Sequence, residues 1–326
     1  MNELLKITDL SVEYRRNGRK IRAVAGVDLT LAPGEILGLV GESGCGKSSL
    51  GKAIVGIEKL ASGEVQFKGN VVKPLDRRGR PPELRNLQMI FQDPYGSINP
   101  RRKIGEQIAD GLIVAGKPKK EAFQISAELL EKVGLGATAL DRYAHQFSGG
   151  QRQRIAIARA LAASPDAIIA DEPISALDTS SQAQVSNLLV SLVQEFGMGV
   201  IFISHDLSVV RKISDRIAVM YLGKIVEIGT TEQIWNHPSH PYTRALISAI
   251  PKADGNSNMP LDLPGDVPNP EFPPAGCRFH PRCPLVQVNC DKDVPELRRL
   301  KDGRDVACVI QTLNQDVIPL ESIKGR

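Results

Sequence analysis

The pattern of apolar and polar positions predicts a half-buried sheet followed by an alternating strand–helix core. From Leu5 to Leu31 apolar and polar residues alternate, as they do in strands that bury one face. The apolar runs Ala167–Ala170 and Gly199–Ser204 are typical of fully buried strands, and Gln184–Phe196 between them has the period of an amphipathic helix. Buried strands that alternate with helices indicate a parallel sheet. We therefore predict an α/β fold that begins with an antiparallel sheet.

A block of helical period interrupts this alternation. The period extends from about Ile104 to Leu135, and within it Ala122–Val133 places apolar residues at i, i+3, i+4 and i+7. Gly134 fits the position just after the end of that helix. We therefore predict a helical subdomain, at about residues 99–147, inserted into the α/β core.

The composition changes in the last quarter of the chain. Beyond Pro251 proline and glycine become dense, which indicates a linker at residues 251–262 and a small appended module. A chain of 326 residues is long enough for about two domains. We therefore predict one domain at residues 1–250 and a C-terminal extension at 251–326.

Charge and hydropathy argue against several classes of protein. The net charge of +4 is too small to indicate nucleic-acid binding by itself. No apolar run reaches the ~20 residues that a membrane-spanning helix needs. The N-terminus carries Glu3 and no long apolar stretch, so it does not resemble a secretory signal. We expect a cytosolic protein that would work at a membrane only by docking onto another protein.

A glycine-rich segment predicts a nucleotide-binding loop. Residues 41–48 have the pattern G-x-x-x-x-G-K-[ST], between an apolar run and a segment that can form a helix, which is the context of a P-loop. Its glycines allow backbone N–H groups to surround phosphate oxygens. Lys47 would supply a positive charge to the β- and γ-phosphates, and the Ser48 hydroxyl would bind Mg²⁺. The predicted nucleotide-binding residues here are Gly41, Glu42, Ser43, Gly44, Cys45, Gly46, Lys47, Ser48 and Ser49.

Two acidic residues follow the buried strand that ends at Ala170. Asp171 fits the second acidic motif of P-loop ATPases, in which the carboxylate holds Mg²⁺ through its water. Glu172 could then act as the general base for the attacking water. An acidic pair at a strand end is also common as a helix cap, but the P-loop upstream favours the catalytic interpretation.

The segment Ser148–Arg152 resembles the LSGGQ signature of the ATP-binding cassette (ABC) family, with Phe147 in place of the leucine. Its serine and glycines can open a helix with free N–H groups, which is an anion site. The resemblance implies an ABC nucleotide-binding domain in which two cassettes face each other, so that each signature meets the γ-phosphate bound by the opposite subunit. The residues implied at this second site are Ser148, Gly149, Gly150 and Gln151.

Other positions match further ABC motifs in order and spacing. The resemblance implies that Gln92 reaches Mg²⁺ and the attacking water, that His205 contacts the γ-phosphate, and that Asp178 communicates across the dimer. It also implies that Tyr14 stacks on adenine, although a tyrosine in a strand is more often ordinary packing. The catalytic residues implied are Glu172, Gln92 and His205.

Three segments narrow the resemblance to the ATPase subunits of oligopeptide/dipeptide importers, and it covers nearly the whole chain. They are Phe91–Arg101, His240–Arg244 and Gly276–Pro284. The group also includes importers of nickel, glutathione and some oligosaccharides. Ile174 departs from the threonine that is common at its position, and we expect little effect on the chemistry.

The resemblance implies an ATPase that uses ATP and Mg²⁺ to power peptide import, with nickel, glutathione or oligosaccharides as alternative cargoes. The implied partners are a second, homologous ATPase, more often an unlike one, two membrane permease subunits and an extracytoplasmic substrate-binding protein. No nucleic acid is expected, and the expected location is peripheral, on the cytoplasmic face of the inner membrane. A soluble ABC protein acting on ribosomes or DNA is disfavoured because the chain has one cassette and no sustained heptads. An exporter would usually carry a fused membrane domain and lack this tail.

Four of the five cysteines lie in the C-terminal extension: Cys277, Cys283, Cys290 and Cys308. In a reducing cytosol clustered thiols favour metal binding or catalysis over disulfides. Their spacing allows a zinc site, a [4Fe–4S] cluster or free buried thiols, although the C-x₂-C pairs of common zinc modules are missing. The resemblance to peptide-importer ATPases with this tail implies the [4Fe–4S] cluster, in a structural or regulatory role.

Overall fold

The computed structural model describes residues 3–16, 18–75, 80–250, 265–313 and 317–318. The linker predicted at 251–262 lies outside this part of the chain. The strands are β1 (Leu5–Arg16), β2 (Arg19–Leu31), β3 (Ile36–Val40), β4 (Ser62–Phe67), β5 (Asn70–Val71), β6 (Leu87–Ile90), β7 (Ala167–Asp171), β8 (Gly199–Ser204), β9 (Arg216–Tyr221), β10 (Lys224–Thr230), β11 (Arg298–Leu300), β12 (Asp305–Val306) and β13 (Val317–Ile318). The α-helices are α1 (Lys47–Ile54), α2 (Pro94–Ser97), α3 (Ile104–Val114), α4 (Lys119–Lys132), α5 (Gly149–Leu161), α6 (Thr179–Phe196), α7 (Leu207–Ile213), α8 (Thr231–Asn236), α9 (Pro241–Ser248) and α10 (Val309–Leu313). Short 3₁₀ helices cover Pro82–Leu84, Ala137–Asp141, Ala144–Gln146 and His280–Arg282.

The strands form two sheets, as the apolar patterns predict. A four-stranded antiparallel sheet has the order β2-β1-β4-β5. A nine-stranded sheet has the order β13-β11-β12-β10-β9-β3-β8-β7-β6, and its strands β9, β3, β8, β7 and β6 are parallel to one another. The mixed α/β architecture is therefore confirmed.

The parallel part of the large sheet is covered on both faces, which explains why a central strand such as β3 is apolar throughout. Along β3, Ile36 and Val40 face the core shared with α3 to α6. Leu37 and Leu39, on the opposite face, pack with α1 and the antiparallel sheet. Because every side chain of β3 is buried, period-two alternation is lost there.

The parallel strands bring the predicted motifs to one edge of the sheet. Carboxyl ends of neighbouring parallel strands meet at the same edge, which is where open α/β sheets bind ligands. The P-loop follows β3, Asp171 ends β7, and Gln92 and His205 follow β6 and β8. This edge therefore gathers side chains that are widely separated in the sequence.

Two helices begin earlier than their apolar patterns suggest. Helix α4 starts at Lys119, three residues before Ala122, because its first turn is exposed and has no apolar residue to mark it. Helix α6 starts at Thr179, where the Asp178 carboxylate accepts a hydrogen bond from Ser181 N at 2.9 Å and caps the helix. No helix in the described ranges is both long and apolar enough to cross a membrane.

The C-terminal extension shares the large sheet, so the separate module predicted after residue 251 is not confirmed. Strand β12 pairs with β10, with Glu227 opposite Val306. The fully buried carboxylate of Glu227 accepts hydrogen bonds from the backbone of Ser239 at 2.8 Å and of His240 at 2.9 Å, and Arg304 Nη1 lies 3.6 Å away. Burial raises the pKa of Glu227, whereas these donors stabilise the ionised form. Strand pairing and this polar cluster join the extension to the α/β core.

Candidate functional site

The P-loop is packed so closely that two of its positions accept only glycine. A Cβ atom added at Gly41 would lie 2.1 Å from the carbonyl oxygen of Met220. A Cβ atom at Gly46, whose φ is +109°, would lie 2.2 Å from the carbonyl oxygen of Ala23. The loop is thus confined between β9 and β2, and its shape follows from the absence of side chains at these positions.

Lys47 lies over the beginning of the loop. Its Nζ donates hydrogen bonds to the carbonyl oxygens of Gly41 at 2.8 Å and Glu42 at 3.0 Å, and the residue is only 4% exposed. Helix α1 begins at Lys47, so the ammonium group and the positive end of the helix dipole are near each other. The loop is therefore a positively polarised site of the kind that binds phosphate.

Ser48 and Asp171 bring two oxygen groups together beside the loop. The Ser48 hydroxyl donates to Asp171 Oδ1 at 2.8 Å, and Asp171 is 2% exposed. Burial raises the pKa of Asp171, and the Ser48 hydrogen bond opposes that rise. Hydroxyl and carboxylate oxygens are the ligands that Mg²⁺ prefers, so this pair fits the ion.

The three predicted catalytic residues meet at one carboxylate oxygen. Glu172 Oε2 accepts a hydrogen bond from Gln92 Nε2 at 3.0 Å and lies 3.4 Å from His205 Nδ1. The Glu172 side chain is 13% exposed, whereas that of His205 is 55% exposed. The structure thus holds a largely buried carboxylate at the strand edge, next to Asp171 and in contact with the exposed His205.

The backbone of Glu172 is in a conformation that few side chains adopt. Its φ is +44°, in the left-handed region, and its N–H donates to the carbonyl oxygen of Ile203 at 3.0 Å. Such conformations cost free energy and tend to occur at functional sites. The strand pairing of β7 with β8 therefore fixes the direction in which the Glu172 side chain points.

Tyr14 contacts the helix that follows the P-loop, and the remaining P-loop residues lie in the middle of the loop. The Tyr14 hydroxyl donates to Ser49 Oγ at 3.1 Å, and burial raises the pKa of the phenol. Cys45 is buried with its Sγ 3.8 Å from Lys47 Nζ, which agrees with a space-filling role. Ser43 and Gly44 complete the turn between Glu42 and Cys45. Tyr14 is thus adjacent to the helix that follows the P-loop, and its stacking on adenine stays a prediction.

The signature segment and Asp178 form a second, exposed group. Ser148 caps α5: its Oγ accepts from Gln151 N at 3.3 Å, and Gln151 Oε1 accepts from Ser148 N at 3.0 Å. Gly149 and Gly150 form the first turn, and a Cβ at Gly150 would lie 3.2 Å from Ser181 Oγ. The partners of Ser148 and Asp178 lie within their own helix ends. The structure therefore places the signature beside Asp178, with its polar groups facing solvent.

Comparisons with known proteins show the family to which the chain belongs. A family model described as "ABC transporter" matches residues 24–175, and one described as "Oligopeptide/dipeptide transporter, C-terminal region" matches residues 226–290. The dipeptide transport ATP-binding protein of Haemophilus influenzae is 47% identical to the chain over 292 residues, which are 89% of either protein. The chain belongs to the oligopeptide/dipeptide family of ABC transporter ATP-binding proteins. It is accordingly an ABC-type ATPase.

Other relatives extend the comparison to this family's fold. The oligopeptide transport ATP-binding protein of Bacillus subtilis is 44% identical over 300 residues, covering 90% of this chain and 91% of that protein. The cassette MJ0796, solved as a dimer in a post-hydrolysis state with ADP and Pi, is 29% identical, with a TM-score of 0.62 over 70% of this chain and 98% of that one. The ABC ATPase is therefore similar to known cassettes through its core and continues beyond the length of MJ0796.

Two further residues of this ABC ATPase contact the P-loop, and no sequence pattern assigns them a role. The Tyr242 hydroxyl accepts a hydrogen bond from Glu42 N at 2.9 Å. Arg282 donates two hydrogen bonds to the Glu42 carboxylate, at 3.0 and 3.2 Å. Both residues lie in the segments that resemble peptide-importer ATPases, 240–244 and 276–284. That resemblance is the signal in the sequence that could have pointed to these residues, but a single sequence does not pair residues that are 200 or 240 positions apart.

The four cysteines of the extension do not form a preassembled metal site. Among the residues that the structure describes, no group of three or more His, Cys, Asp or Glu side chains could hold a metal ion. Each thiol is free of disulfides. Burial, with a smaller contribution from the other three thiols, raises the pKa of Cys277 to about 11, and burial also raises the pKa values of Cys283 and Cys308. The predicted [4Fe–4S] cluster, or a zinc ion, is therefore not supported by the arrangement of these side chains.

Proposed function

We propose that the chain hydrolyses ATP to power the import of di- or oligopeptides through a membrane ABC transporter. The observation that carries the proposal is the Glu172 carboxylate, which contacts Gln92 and His205 at the same edge of the sheet as the P-loop. The names of the relatives from H. influenzae and B. subtilis support the peptide cargo.

The P-loop side chains would bind and orient the triphosphate. Lys47 would exchange its bonds to the Gly41 and Glu42 carbonyls for bonds to the β- and γ-phosphate oxygens, while the loop N–H groups surround them. Ser48 and Asp171 would hold Mg²⁺, which when bound neutralises charge on the phosphate oxygens. Gln92 follows β6 at the same edge and would complete this set.

Glu172 would take the proton of the attacking water. Its position next to Asp171 and its 13% exposed side chain, which water can still reach, support this role as general base. Gln92 would orient the carboxylate and the water, and His205 would contact the γ-phosphate. The chemistry assigned to the protein is thus positioning of reactants and removal of one proton.

A second, homologous ATPase would complete the nucleotide site. The signature from Ser148 to Gln151 is exposed at the beginning of α5, so a partner could present its bound γ-phosphate to those N–H groups. Asp178 lies beside the signature and would contribute to the same interface. We propose an unlike partner, as is frequent in this family, and ATP-driven closure of the pair.

Two membrane permease subunits would bind the cassette on the cytoplasmic face of the inner membrane, and an extracytoplasmic binding protein would deliver the peptide. The proposed docking surface for a permease is the segment 92–99 with the helical subdomain. A groove beside it is lined by partly exposed apolar residues, among them Ile57 and Leu75, with Arg159 at its wall. A groove that combines apolar side chains with the polar and basic side chains of Gln88, Arg80 and Arg159 suits an amphipathic helix.

The proposed function predicts that peptides stimulate ATP hydrolysis by the assembled transporter. We would coexpress the chain with its permease subunits, partner ATPase and binding protein, reconstitute them in lipid and measure ATPase activity with and without peptides. Stimulation is expected because cargo delivery favours closure of the ATPase pair. A membrane complex that ignores peptides but responds to nickel, glutathione or oligosaccharides would replace the cargo. Failure to form any membrane complex would contradict the importer function.

We further propose that Cys277, Cys283, Cys290 and Cys308 hold a [4Fe–4S] cluster in a structural or regulatory role. The donor type is the one that such a cluster takes, since all four residues carry thiols that are free of disulfides. Their arrangement does not fit a bound metal, so the side chains would have to turn toward a common centre and lose their protons. No step of ATP hydrolysis is assigned to the cluster.

Anaerobic purification tests this metal proposal. We expect about four iron atoms and four acid-labile sulfides per chain and a broad visible absorption that is lost on exposure to oxygen. Cys283→Ser should remove them, whereas the matched variant Cys45→Ser, outside the four, should retain them. A colourless protein with one zinc ion per chain would contradict the cluster, and a metal-free protein would favour free thiols.

A further inference from the structure

We propose that Arg282 of the C-terminal extension is a positioning residue of the nucleotide site, which neutralises Glu42 and so keeps the P-loop able to bind ATP. The inference goes beyond the proposed function but rests on ATP binding by the P-loop. It assigns a part of the extension to the nucleotide site itself.

The contact between Arg282 and Glu42 is a bidentate ion pair. Arg282 Nη1 lies 3.0 Å from Glu42 Oε2, and Nη2 lies 3.2 Å from Oε1. Arg282 is 6% exposed, and its Nη1 also lies 3.5 Å from the Tyr221 hydroxyl. Paired hydrogen bonds of this kind fix the orientation of both groups, and low exposure reduces screening by solvent. The pair is therefore unlike a surface salt bridge.

Glu42 connects this ion pair to the phosphate-binding lysine. Its carbonyl oxygen accepts a hydrogen bond from Lys47 Nζ at 3.0 Å, and its N–H donates to the Tyr242 hydroxyl at 2.9 Å. The N–H, the carbonyl oxygen and the carboxylate of Glu42 are thus each hydrogen-bonded, to Tyr242, Lys47 and Arg282 respectively. Substitution of Arg282 would therefore affect the P-loop through its contact with Glu42.

Aromatic packing keeps Arg282 in place. Phe279, three residues earlier, packs edge-on against Tyr221 with ring centroids 5.3 Å apart and against Tyr242 at 5.4 Å. The backbone N–H of Arg282 donates to the carbonyl oxygen of Phe279 at 3.0 Å, within the 3₁₀ helix His280–Arg282. Because the same aromatic group packs the extension onto β9 and α9, the guanidinium is presented to the loop in one position.

The charge of Glu42 determines whether loss of Arg282 raises or lowers the affinity for ATP. Glu42 is the second residue of a loop that would surround a triphosphate, and its carboxylate would repel the phosphates if Arg282 did not neutralise it. Loss of Arg282 should therefore weaken ATP binding because a negative charge remains uncompensated. A role in stability alone predicts a lower melting temperature with unchanged affinity in the folded chain.

The test is a double-mutant cycle on the full-length chain, with a fluorescent ATP analogue and Mg²⁺ as the probe. Arg282→Met should raise the Kd of the analogue about tenfold, which corresponds to a loss of about 1.4 kcal/mol in binding free energy. Adding Glu42→Gln to Arg282→Met should recover most of that loss, because it removes the uncompensated charge. The matched control is Arg299→Met, which breaks the bidentate pair between Arg299 and Asp305 elsewhere in the extension and should leave the affinity unchanged.

Two results would overturn the inference: an unchanged affinity in Arg282→Met, or no recovery in the double variant. If Arg282→Met does not fold, Glu42→Asp and Glu42→Gln can be compared instead. The shorter aspartate keeps the charge but withdraws it from Arg282, so it should bind the probe more weakly than the glutamine variant, and the reverse order would contradict the inference. Absence of binding by the unsubstituted chain would instead contradict the proposed function.

Discussion

Replacement of Glu172 by glutamine should reduce ATP turnover by about a hundredfold or more, which is the usual contribution of a general base. The amide is nearly isosteric, and its oxygen can still accept the hydrogen bond from Gln92 Nε2 that the carboxylate accepts at 3.0 Å. It cannot take a proton from water at neutral pH. Because the P-loop is untouched, affinity for ATP should remain, so we expect a chain that binds ATP and does not hydrolyse it.

Hydrolysis by the reconstituted transporter and ATP binding by the isolated chain measure the two halves of this prediction. Glu195→Gln is the matched control, since Glu195 is an exposed carboxylate that pairs with Lys132 and lies outside the motifs. Turnover that persists in Glu172→Gln would remove Glu172 as the base. Loss of ATP binding in the same variant would show instead that the carboxylate supports the loop.

Replacement of Lys47 by alanine should weaken ATP binding by about ten- to a hundredfold. Hydrogen bonds between a charged donor and a charged acceptor contribute about 1.5–3 kcal/mol, and the ammonium group is the charged donor of this loop. The substitution also removes the bonds to the Gly41 and Glu42 carbonyls, at 2.8 and 3.0 Å. Some loss of stability should therefore accompany the loss of affinity.

Equilibrium titration with a fluorescent ATP analogue, together with thermal unfolding without nucleotide, separates these two effects. Lys68→Ala is a suitable control. Lys68 pairs with Asp166 at the surface, so its replacement removes the same charge without changing the P-loop. Equal affinities for the Lys47→Ala and Lys68→Ala variants would contradict the phosphate-binding role of Lys47.

The sequence predicts the ATPase core well because each of its elements has a local signal. Buried strands such as β7 are apolar on both faces from Ala167 to Ala170, and close contacts that admit no Cβ require the P-loop glycines Gly41 and Gly46. The order of the strands then brings Gln92, Glu172 and His205 together, although nothing in their own spacing gives the 3.0 and 3.4 Å contacts.

The relation between the extension and the core could not be predicted in the same way. The apolar pattern around Glu227 predicts an ordinary β-hairpin. The Glu227 carboxylate is nevertheless buried, accepts hydrogen bonds from the backbone N–H groups of Ser239 and His240, and has Arg304 nearby. Long-range polar contacts of this kind leave no period in the sequence. The density of proline after residue 251 predicts a separate unit. The pairing that joins β12 to β10 involves only two residues on each strand, which is too short to give a strand pattern in the sequence.

The pairing of β12 with β10 also determines where the chain can be truncated and where segments of two relatives can be joined. A cut at residue 250 would expose the edge of β10, whose free N–H and C=O groups invite pairing with other molecules. The cut would also remove Arg304, the positive charge that lies 3.6 Å from the buried Glu227 carboxylate. Hybrid subunits built from two relatives should therefore take β10, the Ser239–His240 turn and the extension from the same parent, so that the inherited unit begins before the boundary that composition suggests.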